Sequence, residues 1–418
     1  MLKTLYRRVT RFTDIWEAQR ILLEGVGPVQ EKEFVHVFES VGRVVAEPVY
    51  SPADLPANHA SHMDGFAVNS KDLENASPEN PVRLKVVGES LPGKPPPAML
   101  RPGEAVRILT GAYLPDGADA VVPQEFVIRE GDDVVVPVPV KAWEYVDLKG
   151  FDVRAGQLLF GAGHRIKAAD ASLMAALGIE RVPVLRRPRV GVVAVGDELT
   201  ESFEEVRRGR VLNTHSRFTM KLVEASGGEP VYLGIIPDDV ETYKEFVSKN
   251  IGSLDMLLSI AGSSISEKDV SSLSAGFLNK SQYVHGLKLQ PGRIGGFTFV
   301  RAKPWIFLPG LVMSTLNVFM FLAYPALRKM QYMEPRYYWR RSKAVLSENV
   351  YFRKYVDFVK VVWVRVDEES DPPRCYPILG ESSGLSIPSR SDGFILGEPG
   401  VQQLGSGTRV YVHYPPAL

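Results

Sequence analysis

Apolar positions in the middle of the chain fall into short, unbroken runs. Val190, Val192, Val193, Ala194 and Val195 make one β-branched run that stops at Gly196, and residues 256–260 (MLLSI) make another. Between them the spacing predicts a helix over 216–225, stopped by Gly227 and Gly228, a strand over 231–236 and a helix after Asp238. Short apolar strands alternating with helices predict βα units around a buried parallel sheet. Nearer the N-terminus, Ile15, Trp16, Ala18, Ile21 and Leu22 recur at helical spacing, with Thr13 placed to cap that helix and Gly25 to stop it. After Gly42 the texture is extended and broken by prolines. Strand-like runs at 82–87, 105–109, 120–127 and 134–138 predict a small β-rich lobe inserted between helical parts. Residues 167–177 predict a short helix with Gly178 at its C′ position. In the tail, YFRKYVDFVKVVWVRV reads as a long strand interrupted at Asp357. CYPILGE, GFILGE and TRVYVHY follow between Pro, Gly and Ser clusters, which predicts a small all-β barrel or sandwich.

Length and charge narrow the picture. A chain of 418 residues is too long for one ordinary core, and should divide into roughly two to four domains. Its 49 basic and 49 acidic side chains balance, which argues against a nucleic-acid binder relying on a basic surface. The single cysteine, Cys375, excludes an intramolecular disulfide and a Cys-rich zinc site. The N-terminal MLKTLYRRVTRF is basic, but the apolar run after it is broken by Glu17, Gln19 and Arg20 and lacks the core of a signal peptide. The expectation is a cytoplasmic protein. The longest apolar stretch, 311–327, contains Ser314, Thr315, Asn317 and Pro325, so it predicts a buried helix and no membrane partner.

Candidate chemistry gathers at loops and strand ends. Asp64 lies in HMDGFAV, where Asp-Gly reads above all as a turn; Asp152 in KGFDVRAG suits a ligand contact and is explained equally well by an Asx turn. His59 and His62 nearby are a weak metal signal. ILTGAYLPDGADAVVPQE reads as a strand, a tight loop and a second strand. Glu198 in GDEL, Asp238 with Asp239, and Asp269 each follow an apolar strand of the same predicted sheet. Ligands of open sheets sit beyond the carboxyl ends of such strands. Carboxylates gathered there repel one another unless a hard cation neutralises them, and Mg²⁺ typically takes one or two carboxylates plus substrate phosphates. Asp238 alone reads better as the cap of the following helix. Small residues in AGSSISEKD, which carries Ser264, let backbone amides approach an anion. KLQPGRIGGF, with Gln290, Gly292 and Arg293, and LPGLVMST, with Gly310, offer turns and hydroxyls that suit an oxyanion or a plain connection.

Taken in order, these stretches resemble the molybdopterin molybdotransferase family, the molybdenum insertases of the MoeA and gephyrin E-domain type. HMDGFAV is similar to the family's S-x-MDGYA, RILTGAYLPDGADAVVPQE to R-I-x-TGA-x-LP-x-GADAVV-x-x-E, GFDVRAGQLL to G-x-D-x-x-AG, PRVGVVAVGDEL to P-R-V-x-x-x-x-TGDEL, and LGIIPDD to G-I-x-x-DD. Other motifs depart from the pattern. GGVSVGxxD is AGSSISEKD here, with Ala261 and Ser266 in place of glycines; KPGKP is QPGRI and LPGNP is LPGLV.

The resemblance implies a multidomain α/β plus β fold in four parts. These are an elongated helical domain I (1–41 with 143–185), an inserted β-rich domain II (42–142), a central α/β molybdopterin-binding domain III (186–333) and a C-terminal β-barrel domain IV (334–418). It implies a homodimer in which Asp64 acts in trans, and possible contacts with other molybdenum-cofactor synthesis proteins. The implied reaction is Mg²⁺-dependent insertion of molybdate, or its isostere tungstate, into adenylylated molybdopterin with release of AMP. Asp64, Asp152, Glu198 and Asp269 would be catalytic, with Glu198, Asp238 and Asp269 on the metal. Ser264, Gln290, Gly292, Arg293 and Gly310 would contact the substrates. The alternative is a catalytically impaired paralogue that keeps the dimer and binds pterin or a partner.

Overall fold

A computed structural model describes residues 12–97, 99–261, 283–335 and 340–415. The chain forms two compact units, Phe34–Val184 and the pair of segments Met1–Glu33 and Leu185–Leu418. The four-part division expected from the sequence is finer than this partition.

In the first unit a six-stranded sheet runs in the order Ala120–Pro123, Gly65–Val68, Glu104–Ile108, Val82–Ser90, Asp133–Val136, Ile128–Glu130. Every pairing is antiparallel except that between Val82–Ser90 and Glu104–Ile108. Alternate residues feed two cores, because successive side chains of a strand point to opposite faces. Phe66, Val68, Leu84 and Val122 lie in one core, and Ala67, Val106, Ile108 and Val121 in the other. Gly65 is required by packing, since a Cβ there would stand 2.1 Å from the Val122 carbonyl oxygen. A separate core of Val37, Val45, Ile166, Met174, Val182 and Val184 surrounds the helix Ala168–Ala176. That helix stops at Gly178, whose φ is +82°, as the spacing predicted.

The second unit is built on a six-stranded sheet of order Glu229–Ile236, Arg189–Val195, Met256–Ile260, Lys303–Leu308, Gly296–Val300, Val284–His285. The first four strands are parallel and the last two pair antiparallel. Both faces are covered, as the continuous apolar runs required: Val190, Val192, Leu258 and Ile306 face one core, Val193, Val195, Leu257 and Trp305 the other. The N-terminal helix, Ile15–Glu24, lies against the first of these cores with Ile15, Ala18 and Leu22 fully buried. Its cap is Asp14 rather than Thr13: the Asp14 carboxylate accepts from the amides of Trp16 (2.9 Å) and Glu17 (3.2 Å). Trp16 and Ile21 pack on their own chain, with the Trp16 and Phe321 rings 5.5 Å apart. Residues 312–330 form a buried helical stretch with a π turn at Phe319–Ala323. Among the described residues no helix is long and apolar enough to cross a membrane.

The tail closes into a five-stranded barrel. Val359–Asp367, Arg374–Pro377, Arg340–Leu346, Arg409–Tyr414 and Gly393–Gly397 pair in turn, and the last pairs back to the first. Closure leaves no exposed sheet edge. The short strand Leu289–Gln290 joins Val359–Asp367 from outside, in parallel register with Val359 and Lys360.

Candidate functional site

The Arg189–Val195 strand delivers the 196–199 loop to the carboxyl edge of the parallel sheet. Gly196 has φ +157°, and a Cβ there would stand 2.6 Å from a Glu198 carboxylate oxygen. Glycine at this point leaves room for Glu198 to fold back over the loop. The Glu198 carbonyl accepts from the Val211 amide at 3.0 Å. The Asp197 carboxylate accepts from the Asp238 amide at 3.4 Å, which brings the two strand ends together. Asp239, not Asp238, caps the helix Val240–Asn250, by accepting from the Thr242 amide at 2.7 Å. That hydroxyl and amide of Thr242 hold the Asp239 carboxyl below its ordinary range. Asp238 is therefore not the cap that its sequence position suggested. Among the described residues no group of three His, Cys, Asp or Glu stands ready to hold a metal. Asp269 and Ser264 lie outside the described residues.

The turn that follows Leu289–Gln290 is tied to the barrel. Lys288 forms an ion pair with Asp357 at 2.9 Å, and this contact holds the Asp357 carboxyl below its ordinary range. The Arg293 guanidinium lies 5.2 Å from the centre of the Tyr355 ring, a cation–π distance. Lys360, only 3% exposed, donates to the carbonyl of Lys354 at 2.7 Å and to that of Tyr355. Burial pushes its ammonium pKa down, against the pull of Asp357. The Asn317 amide donates to the Pro291 carbonyl at 2.9 Å. Its own Oδ1 and the Oε1 of Gln290 are buried and meet no hydrogen-bond partner among the described residues. Gly292, at φ +129°, would place a Cβ 3.0 Å from Leu289 and 3.2 Å from Val318.

Ala261, where the resemblance expects glycine, has φ +65°. A left-handed backbone of this kind is unfavourable for a residue with a Cβ. That Cβ approaches to 3.1 Å of where a Cβ on Gly310 would stand, so small residues meet beyond the ends of two neighbouring strands.

Asp64 and Asp152 belong to the other compact unit. Asp64 Oδ1 accepts from the Thr110 amide and from the Thr110 hydroxyl, both at 2.7 Å, and these bonds, the amide first, lower its pKa. Asp152 lines a cleft of about 570 Å³ together with His62, Asp147, Leu55 and Phe151. Gly111, next to Thr110, lines the same cleft. His62 Nδ1 lies 3.2 Å from the Asp147 carboxylate, a hydrogen-bond distance.

Sequence reasoning missed Arg210, Tyr355, Asp357 and Lys360 as site-building residues. Lys360 carried a usable signal: a lysine between Val359 and Val361 in an apolar strand must find partners when buried. Arg210 had none, because its targets are backbone carbonyls.

Comparison with known proteins agrees with this architecture. Residues 13–178 match the family model described as "MoeA N-terminal region (domain I and II)", and residues 191–329 match that described as "Probable molybdopterin binding domain". The chain is 33% identical to the molybdopterin molybdenumtransferase of a Nostoc species, over 72% of this chain and 70% of that protein. It is 31% identical to the enzyme of the same name from Haemophilus influenzae, over 75% of this chain and 77% of that protein. A solved structure of the molybdopterin biosynthesis MoeA protein of Pyrococcus horikoshii OT3 superposes with a TM-score of 0.78 at 27% identity, covering 97% of this chain and all (100%) of that one. Another from the same genus gives a TM-score of 0.83 at 29% identity, covering 98% of this chain and 100% of that one. With both N-terminal and central models matched in their proper order and the fold shared end to end, the chain belongs to the MoeA family of molybdopterin-biosynthesis proteins.

Proposed function

We propose that this protein is a molybdopterin molybdenumtransferase that takes adenylylated molybdopterin and molybdate, or tungstate, and releases AMP in a Mg²⁺-dependent step. The observation that carries the reading is the carboxylate edge: Glu198 on its glycine-freed loop, with Asp197 and Asp238 held beside each other. Their hard oxygen donors suit Mg²⁺, which is commonly shared between one or two carboxylates and substrate phosphates. Bound there, the ion would polarise a phosphoanhydride and offset charge on the leaving AMP. The chain's own residues would do the rest. Glu198 and Asp238, with Asp269, would hold the ion; Arg293, Lys288 and Gln290 would face the oxyanion; Gly292 and Gly310 would let backbone approach it. Asp64, kept ionised by Thr110, would act in trans in a homodimer, and Asp152 would serve the substrate.

A second reading, a paralogue that binds pterin without turnover, draws on one observation. Lys288 and Arg293, the cations nearest the diverged turn, already contact Asp357 and Tyr355. Reconstitution separates the two. Purified protein with adenylylated molybdopterin, Mg²⁺ and molybdate should release AMP only when all three are present. Retention of the adenylylated pterin without AMP would favour the paralogue.

A further inference from the structure

Glu198 is the residue on which the proposed reaction leans most, yet it sits on an exposed loop after a strand end. Besides a short ladder with Val211–Leu212, one side chain twelve residues away in sequence ties the loop. Arg210 Nη2 donates to the Asp197 carbonyl at 2.5 Å and to the Leu199 carbonyl at 2.8 Å. These are the two carbonyls flanking Glu198. The third carbonyl of the loop, that of Glu198 itself, accepts from the Val211 amide at 3.0 Å. Arg210 and Val211 thus satisfy three consecutive carbonyls, and one guanidinium nitrogen bridges the peptide units on either side of Glu198.

The guanidinium is itself held. Its Nη1 lies 3.8 Å from a Glu205 carboxylate oxygen, and the Thr200 hydroxyl donates to Glu205 at 2.5 Å. Glu205 stands on the short helix Phe203–Arg207, whose Ser202 cap accepts from the Glu205 amide at 3.5 Å. Thr200, Glu205 and Arg210 form a relay that ends on the carbonyls of Asp197 and Leu199, either side of Glu198. A two-residue parallel ladder, Leu199–Thr200 with Val211–Leu212, occupies the carbonyls of Glu198 and Thr200; those of Asp197 and Leu199 are taken by Arg210, and without it they would exchange with water and Glu198 would sample more positions.

We propose that Arg210 is a positioning residue: by bridging the carbonyls of Asp197 and Leu199 it holds Glu198 where it meets a divalent cation. The proposal rests on the reading of Glu198 as a metal-binding residue. It assigns no chemical step to Arg210, which touches neither substrate nor metal. Arginine suits the task because its planar fork keeps two donors in fixed geometry, whereas lysine presents one flexible ammonium.

The test uses the full-length protein with Arg210→Met, Arg210→Lys and Glu198→Gln. Mn²⁺ alone, followed by electron paramagnetic resonance, reports metal binding. Amide hydrogen exchange over residues 196–199 reports the loop. Residues that orient metal ligands typically contribute about 10–100-fold to affinity. Arg210→Met should therefore weaken Mn²⁺ binding at least about tenfold, and speed exchange in the loop by a similar factor. Its melting temperature should stay within about 2 °C of wild type. Arg210→Lys should recover part of both effects. In a Glu198→Gln background, Arg210→Met should cost nothing further in Mn²⁺ binding. Unchanged Mn²⁺ affinity in Arg210→Met, with wild type binding normally, overturns the positioning role alone. So does a loss of affinity that appears only with global unfolding, which Arg210→Lys does not reverse. Wild-type protein that binds Mn²⁺ no better than Glu198→Gln overturns the metal reading of Glu198 and this proposal together.

Discussion

Ala261 is where the chain's divergence from its family becomes a physical quantity. It holds φ +65° at the end of a buried strand, a conformation that glycine adopts freely. Ala261→Gly relieves that strain at the cost of a looser unfolded chain. The net expectation is a stabilisation of roughly 0.5–1 kcal/mol in urea denaturation; a loss of stability would mean the Cβ contact toward Gly310 outweighs the strain. Titration gives a second test at this scale. Burial lowers the pKa of His285 to about 4, and burial, with Arg341 nearby, does the same for His413. Both folded values lie below the ordinary histidine pKa of about 6.5. The unfolded chain therefore binds more protons between those limits, and the stability these neutral rings provide is complete above about pH 6.5 and lost as pH falls toward 4. His413, stacked 5.2 Å from Phe394, is the simpler one to replace. His413→Phe should flatten the decline in denaturation midpoint across that range, and an unchanged slope would assign the decline elsewhere.

At the scale of elements, the 352–358 turn lies before the strand Val359–Asp367 and is tied by a buried ammonium. Lys360 bonds two carbonyls of that turn, and Phe358 N also donates to the Tyr355 carbonyl at 3.0 Å. Lys360→Met keeps the apolar stem but leaves the Lys354 carbonyl without its donor, and should cost about 1–3 kcal/mol. It should also free Tyr355 and with it Arg293, visible as a changed tyrosine environment in near-ultraviolet circular dichroism. A variant with wild-type stability and spectrum would contradict the clamp. The elements themselves were largely legible in the chain. Runs such as 190–195 and 256–260 are apolar on both faces, and only a covered parallel sheet accommodates that pattern. Gly178 and Gly227 marked their helix ends correctly. The cap fell one residue past the expected Thr13, on Asp14. What covers Trp16 was not legible, because the surface around Phe321 comes from three hundred residues further along, as the Gln19 bond to the Phe321 carbonyl shows (separation 302).

At the scale of the whole molecule, motif order made the family readable before any coordinates, whereas the working geometry was not. Asp64 and Glu198 were both flagged by position, but the Thr110 bonds that keep one ionised and the Arg210 bridge that fixes the other are contacts between loops. No periodicity encodes such contacts. The cations of the QPGRI turn were expected to face an oxyanion, and the structure adds that Asp357 and Tyr355 already engage them. Whether the diverged site still turns over is thus the question on which the account stands. Its most direct test is single-turnover AMP release from adenylylated molybdopterin with Mg²⁺, with and without molybdate, for wild type and Glu198→Gln. If Glu198 holds the ion as proposed, Lewis-acid stabilisation of several kcal/mol depends on it, so Glu198→Gln should slow the step by about a hundredfold or more while its melting temperature holds. Wild type should release AMP close to the amount of active protein, and only with molybdate present. AMP release that ignores molybdate, or that survives intact in Glu198→Gln, would contradict the account.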